Sequence, residues 1–102
     1  MFSECSYAVF TTGNDLAKEM VEYEKKENND LVGIFLGGHY TGYVDGITAV
    51  TAGLMWCNPG NVTPGQIFKI VSKYLNNNPE NLHFSADSLV VQALKEAFPC
   101  KK

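Results

Sequence analysis

The chain contains four segments in which apolar side chains recur at helical spacing or dominate the composition. The first follows Thr12, an N-cap residue type, with Asp15 three positions later at the spacing of a capping box. We expect this first helix to reach Lys26 and to end in the polar run 28–30, where one of the last two residues can cap the next helix. Its apolar face consists of Leu16, Met20 and Tyr23.

The most apolar stretch, Leu31–Trp56, is predicted to be one long second helix that residues 57–60 terminate. Its length is sufficient for a membrane span. However, His39 and Asp45 interrupt it, and its many glycines and threonines make it only weakly hydrophobic. We therefore expect it to lie within a globular domain, and a strand over residues 31–38 is a less favoured alternative.

One face of this second helix is predicted to carry almost no side-chain volume, because Gly38, Gly42 and Gly46 recur every four residues. Each glycine costs up to about 1 kcal/mol relative to alanine in a helix, so several together require a packing reason. The favoured explanation is a central helix crossed by other helices of the same chain. The alternative is a close seam with a second copy or with another partner.

The third helix has a strong start signal in Thr63, Pro64 and Gln66. Threonine caps, proline suits the first helical position, and glutamine three residues after the cap completes a capping box. The pattern therefore predicts a helix from Pro64 onward. Its apolar stripe is formed by Ile67, Ile70, Val71, Tyr74 and Leu75.

A loop over Asn76–Asn81 is predicted to separate the third helix from the fourth, because asparagine and proline favour turns. Ser85 is the expected cap of the fourth helix, Asp87 lies in its first turn, and Pro99 stops it. Its two apolar rows contain Leu89, Val90, Ala93, Leu94, Ala97 and Phe98.

Composition agrees with a single all-α domain over residues 1–102, a compact bundle of about four helices. Apolar residues account for 45% of the chain and charged residues for 19%, which is typical of a globular protein. The net charge of -3 and the absence of a Lys/Arg stripe disfavour nucleic acid and membrane surfaces as partners. Residues 1–5 lack the pattern of a signal peptide, so we expect a cytosolic protein or a mature form.

The three cysteines leave the pairing open. Cys57 follows the second helix and Cys100 follows the fourth, so a disulfide would tie these helices together if both ends reach the same side of the bundle. Two unpaired thiols are the alternative. Neither CxxC nor a Cys/His zinc spacing occurs, and we expect no metal and no cofactor.

An enzyme is a second functional class to weigh, because Cys57, His39 and Asp45 are residue types that nucleophilic hydrolases use. His39 and Asp45 are six residues apart, which does not place them neatly on one helix face. We therefore expect a protein without catalytic residues.

The ordered set of short motifs resembles the Rap/Tai family of immunity proteins of type VI secretion systems. The resemblance covers nearly the whole chain and is tightest in the second half. It rests on Trp56–Cys57, Thr63, Gly65–Gln66, Tyr74–Leu75, Asn78–Glu80, His83 and Ala97–Cys100, and more loosely on Thr12–Leu16 and Gly42–Val44.

The resemblance implies a periplasmic protein whose signal peptide has been removed, with a Cys57–Cys100 disulfide that persists in this oxidising compartment. Many relatives carry a second bridge between the first two helices. This chain has no cysteine there, and Cys5 is expected to be a free or intermolecular thiol. The resemblance also implies a homodimer, for which the Gly38, Gly42 and Gly46 stripe or an exposed helix side is a candidate seam.

The resemblance further implies that the partner is a cognate peptidoglycan amidase effector with a papain-like Cys/His site. A rigid projecting loop is the best way to block such a cleft. We expect this effector-binding loop to consist of Asn77, Asn78, Pro79, Glu80, Asn81, Leu82 and His83; a second loop, Asn58–Val62, is better suited to a structural corner. The alternative function is a generic periplasmic helical module that binds another protein.

Overall fold

The computed structural model describes residues 11–27 and 29–100, and these form an all-α bundle. The four helices are α1 (Gly13–Glu24), α2 (Leu31–Thr51), α3 (Pro64–Asn77) and α4 (Ala86–Ala97), and a single 3-10 turn spans Pro79–Asn81. The predicted fold class and helix number are confirmed. Cys5, for which a free or intermolecular thiol was expected, lies outside the described residues.

Local capping chemistry starts three of the four helices as the sequence predicts. At α1, the Thr12 hydroxyl accepts a hydrogen bond from the Asp15 backbone N–H (3.3 Å), and the Asp15 carboxylate accepts one from Thr12 N–H (3.1 Å). Thr63 and Gln66 form the same reciprocal box at α3, with distances of 3.2 and 2.8 Å. The Asp30 carboxylate caps α2 by accepting from Gly33 N–H at 3.2 Å.

The fourth helix starts where predicted, but the Ser85 side chain does not cap it. Ser85 occupies the N-cap position, yet its hydroxyl lies 3.0 Å from the hydroxyl of Ser88 instead of accepting a helix N–H. The N–H of Ala86 instead donates to the Thr11 carbonyl at 2.7 Å. The chain just before α1 therefore takes over part of the capping role.

Two helices end earlier than predicted. α1 stops at Glu24 because Lys25 turns to extended backbone, where its ammonium pairs with Glu22 at 2.9 Å. α2 stops at Thr51, five residues before Trp56. Gly53 has a φ of +82°, and the turn that follows directs Trp56 inward, where its indole N–H donates to the Thr51 hydroxyl at 3.0 Å.

The turn after α2 thus serves burial of the tryptophan, which is only 2% exposed. Burying a side chain of this size stabilises the folded state by several kcal/mol, which is among the largest contributions of any residue type. If α2 continued as a helix through residue 56, the burial of Trp56 would be lost. The core joins all four helices and contains Leu16, Met20, Tyr40, Val44, Trp56, Ile67, Val71, Leu75, Ala86, Leu89, Val90, Ala93 and Leu94.

Tyr40 links α2 to α3 through its buried hydroxyl, which donates to the Phe68 carbonyl (2.9 Å) and lies 2.9 Å from the Ser72 hydroxyl. Burial raises the pKa of Tyr40 to about 12, since the phenolate would lose its hydration. The phenol therefore stays neutral and holds the two helices in register.

The disulfide between Cys57 and Cys100 is present, with 4.9 Å between the two Cα atoms. It joins the end of the Trp56 turn to the segment after α4, which confirms the predicted pairing. Two further contacts reinforce this junction: Cys57 N–H donates to the Phe98 carbonyl at 3.0 Å, and the rings of Trp56 and Phe98 lie 6.0 Å apart. Within the described part of the chain, no helix has the length and apolar character needed to cross a membrane.

Candidate functional site

The segment between α3 and α4 is held in place by the first turn of α1. The first backbone N–H groups of a helix have no partner within the helix. Here Gly13 N–H donates to the Phe84 carbonyl (2.9 Å), and Asn14 N–H donates to the Leu82 carbonyl (2.8 Å). The helix start and the segment therefore satisfy each other's polar groups, which fixes the segment to the bundle.

Gly13 makes this contact possible because it lies directly against the segment. A Cβ atom at this position would be 2.8 Å from the Leu82 carbonyl oxygen and 2.9 Å from the Leu82 Cα atom, and would also clash with the Leu89 side chain. Backbone atoms cannot move aside as a flexible side chain can. This role of Gly13 could not be predicted from the sequence, because glycine next to a threonine cap is ordinary in any helix start.

The proposed effector-binding loop, residues 77–83, is more structured than the sequence suggests. Asn77 is the last residue of α3, and Pro79–Asn81 form a 3-10 turn instead of an irregular loop. The Asn78 side-chain N–H donates to the Tyr74 carbonyl at 2.9 Å, which satisfies one of the orphan carbonyls at the end of α3. Asn78 is thus partly structural, and Leu82 packs against the core.

Glu80 and His83 are the exposed members of this loop with ionisable side chains. The His83 ring packs against the ring of Phe84 in a tilted arrangement, with 4.2 Å between their centroids. Phe84 itself is 49% exposed although its carbonyl is anchored on Gly13. An exposed aromatic side chain on a rigid backbone suits protein recognition. Phe84 was missed because, in sequence, it reads as the apolar residue that leads into a helix.

A groove of about 450 Å³ adjoins the loop and runs onto α4. Its floor includes the buried Leu89, and Glu96 is its one charged residue. We call it the α3–α4 groove. Its lining consists of Tyr74, Asn78, Asn81, Phe84, Ser88, Leu89, Gln92 and Glu96.

The glycine stripe of α2 faces away from the other helices, so packing against helices of the same chain does not explain these three glycines. A Cβ atom added at Gly38, Gly42 or Gly46 would meet nothing within 4 Å. The close internal approach occurs instead at Gly37, where an added Cβ would lie 3.2 Å from the Tyr23 Cα atom. Helical spacing could not distinguish these faces because α2 is apolar on both sides.

The outward side of α2 and the turn after it expose several large apolar side chains as well as the glycines. These are Leu31, Val32, Ile34, Phe35, Val50, Leu54 and Met55, each more than half exposed. Extended exposed apolar surface on a folded protein marks an interaction site. We call this surface the outer α2 face.

The family model for Rap1a immunity proteins matches residues 12–100, from the cap of α1 to the second cysteine of the disulfide. The chain belongs to the Rap1a immunity protein family. None of the curated proteins matches it significantly. Membership supports a type VI immunity role, in which the protein binds a partner effector.

Cys57, His39 and Asp45 do not form a hydrolase-type catalytic site in this Rap1a family member. Cys57 is bonded to Cys100 and so offers no thiolate. His39 pairs through Nδ1 with a Glu19 carboxylate oxygen at 2.7 Å. Among the described residues, no cluster of three or more His, Cys, Asp or Glu side chains is placed to hold a metal ion.

Proposed function

We propose that this Rap1a family protein neutralises a type VI peptidoglycan amidase by inserting residues 77–83 into the Cys/His cleft of the enzyme. The observation that carries the proposal is the anchoring of this loop. Its far end is bonded to the first turn of α1 through the Leu82 and Phe84 carbonyls, and its near end is capped by Asn78. A loop already held in its bound shape loses less conformational entropy on docking.

Within the loop, Glu80 and His83 supply the polar contacts. Both are exposed, whereas the Asn78 side chain is already used at the end of α3. A carboxylate and an imidazole can hydrogen-bond to the cysteine and histidine of a papain-like site. The carboxylate also resembles the acidic peptide stem on which an amidase of this class acts.

The first prediction concerns these two side chains. Replacing Glu80 and His83 together with alanine is expected to weaken amidase binding at least tenfold, because both truncations fall at the proposed centre of contact. The free energy of unfolding should change by less than about 0.5 kcal/mol, since neither side chain is buried. Calorimetric titration against an amidase encoded beside this gene measures the affinity, and peptidoglycan digestion measures inhibition.

The matched control is Asn61→Ala in the loop between α2 and α3, where Asn61 is also exposed. This variant should inhibit as well as the wild type. Equal affinity of the Glu80/His83 double variant and the wild type would remove the loop from the mechanism. Asn78 is tested separately, because losing its bond to Tyr74 is expected to cost about 1 kcal/mol of stability by itself.

The compartment that fits this function is the periplasm, where an amidase delivered from a neighbouring cell reaches peptidoglycan. The disulfide supports a location outside the reducing cytosol. A periplasmic amidase effector and its inhibitor would then meet in the same space.

We further infer that two copies of the protein associate through the outer α2 face. Gly38, Gly42 and Gly46 leave the helix backbone open to a close neighbour, and the exposed apolar side chains of α2 lie beside them. A second copy would cover this surface by a two-fold contact of the same face with itself.

The second prediction tests this seam. Phe35, which is 69% exposed on α2, is replaced with glutamate, and the wild type is expected to be a dimer in light scattering while Phe35→Glu is a monomer. A charge introduced into an apolar seam loses its hydration when the two copies meet. Val21→Glu on α1, at a 52% exposed site, is the control and should remain dimeric. A wild-type monomer at working concentration contradicts the seam.

A further inference from the structure

The α3–α4 groove combines an apolar floor with aromatic rings in its lining. Leu89 is 4% exposed at the floor, and the rings of Tyr74 and Phe84 border the groove. Arginine and lysine have long aliphatic stems that cover apolar surface while the charged head stays near water. The face of an aromatic ring also attracts a cation.

The electrostatics of the groove favour the same ligand. Glu96 is the one charged residue in the lining, and it is exposed. Within the described ranges its carboxylate accepts a hydrogen bond from the Gln92 side chain at 3.1 Å and forms no ion pair. Lys73 lines an adjoining groove that shares Tyr74, Asn78 and Glu96, and it is the one cationic residue in the lining of the two grooves. The carboxylate therefore retains free acceptor sites.

We propose that the α3–α4 groove receives one basic side chain of the effector, with arginine preferred. The guanidinium plane stacks on aromatic rings and pairs with a carboxylate through two parallel hydrogen bonds. This inference rests on the proposed function, because Asn78 and Asn81 of the loop also line the groove. A loop seated in the amidase cleft brings the neighbouring rim of the enzyme over Phe84 and Glu96. The groove then sets which amidase the protein accepts.

The first experiment needs no effector. The wild-type protein is titrated with N-acetyl-arginine amide and, separately, with N-acetyl-citrulline amide, which is similar in shape but neutral, and backbone amide shifts are followed by NMR. We expect saturable shifts at Phe84, Gln92 and Glu96 in the millimolar range with the arginine probe, and their loss in Glu96→Gln. Equal shifts with both probes, shifts elsewhere, or none at all overturn the proposal.

The second experiment measures affinity for the amidase. Glu96→Gln keeps the side-chain shape and is expected to weaken binding about fivefold, with a smaller dependence on salt concentration. Phe84→Ala should weaken binding about tenfold or more. Glu27→Gln is the control, since Glu27 is exposed and lines neither groove. Thermal melts should show Glu96→Gln as stable as the wild type.

The outcomes separate this inference from the proposed function. If the Glu80/His83 double variant loses affinity while Glu96→Gln and Phe84→Ala bind like the control, the groove proposal is wrong and loop inhibition stands. If the wild type binds no amidase, the proposed function fails, and the arginine titration alone decides whether the groove recognises a basic side chain.

Discussion

Replacing Cys57 and Cys100 together with serine is expected to lower the free energy of unfolding by about 4 kcal/mol. The bridge spans a sequence separation of 43 residues, and closing a loop of this length restricts the unfolded chain by roughly that amount in the chain-entropy model. Folded domains are stable by only about 5–15 kcal/mol in total. Urea unfolding of the double variant, made in a Cys5→Ser background so that no third thiol can exchange, measures the loss.

The native arrangement of this junction should survive in the double variant. The Cys57 N–H bond to the Phe98 carbonyl and the packing of Trp56 do not depend on the sulfur atoms. Tryptophan fluorescence below the unfolding transition is therefore expected to match that of the oxidised wild type. The control is the Cys5→Ser variant, which retains Cys57 and Cys100, unfolded with and without a reducing agent. Identical midpoints in the two conditions would show that the bridge does not stabilise this fold.

Gly13→Ala is expected to destabilise the protein by about 3 kcal/mol, although alanine is the better helix former. The added methyl group meets the Leu82 backbone at 2.8–2.9 Å, so α1 or the Leu82–Phe84 segment has to move. That movement stretches the bonds from Gly13 and Asn14 to the segment. Equilibrium unfolding gives the energy, and faster hydrogen exchange at amides 13 and 14 reports the lost contacts.

Gly65→Ala provides the matched control for this substitution. Gly65 also lies in the first turn of a helix, but an added Cβ would have only the Thr63 hydroxyl within 4 Å, at 3.9 Å. Alanine should stabilise the protein here by about 0.5–1 kcal/mol. Similar changes in the free energy of unfolding at both positions would mean that the contact of Gly13 with Leu82 does not cause the destabilisation. Gly13→Ala should also weaken amidase inhibition if anchoring of the loop matters.

The disulfide variant and Gly13→Ala disturb different parts of the molecule. The disulfide holds the Trp56 turn against the end of α4, whereas Gly13 holds the start of α1 against the Leu82–Phe84 segment. Losing the first is expected to lower global stability while leaving the loop intact in the folded state. Losing the second disturbs the loop itself, so inhibition should fall more than stability alone would explain.

Helix starts were predictable from the sequence because capping is local. The partners of the Thr12 and Thr63 boxes lie three residues away, and so does the Asp30 contact with Gly33. No tertiary contact is required for these hydrogen bonds. Ser85 is the exception, since the N–H that follows it is bonded to Thr11 from another part of the chain.

The end of α2 was not predictable for the opposite reason. Residues 52–56 have no helix-breaking proline, and the apolar pattern continues through them. The helix stops because Trp56 gains more by burial against the bundle than by extending α2. That comparison depends on a cavity which four helices build together.

The candidate site also has some features that the sequence predicts and others that only the structure shows. Its position between α3 and α4 followed from the turn residues Asn78 and Pro79 and from the resemblance to the family, to which the chain belongs. Phe84, the α3–α4 groove and the role of Gly13 required coordinates. Each depends on atoms from segments that are distant in sequence, and side-chain type alone does not say which segments meet.

The helical class, the helix starts and the family could be predicted without coordinates, since capping, apolar periodicity and motif order depend on residues that are close in the chain. The Cys57–Cys100 pairing was implied by the family resemblance and is confirmed by the assembled bundle, whereas the outward direction of the Gly38, Gly42 and Gly46 stripe became visible only in the fold. α2 is apolar on both sides, so burial of one side over the other is a property of the assembled bundle.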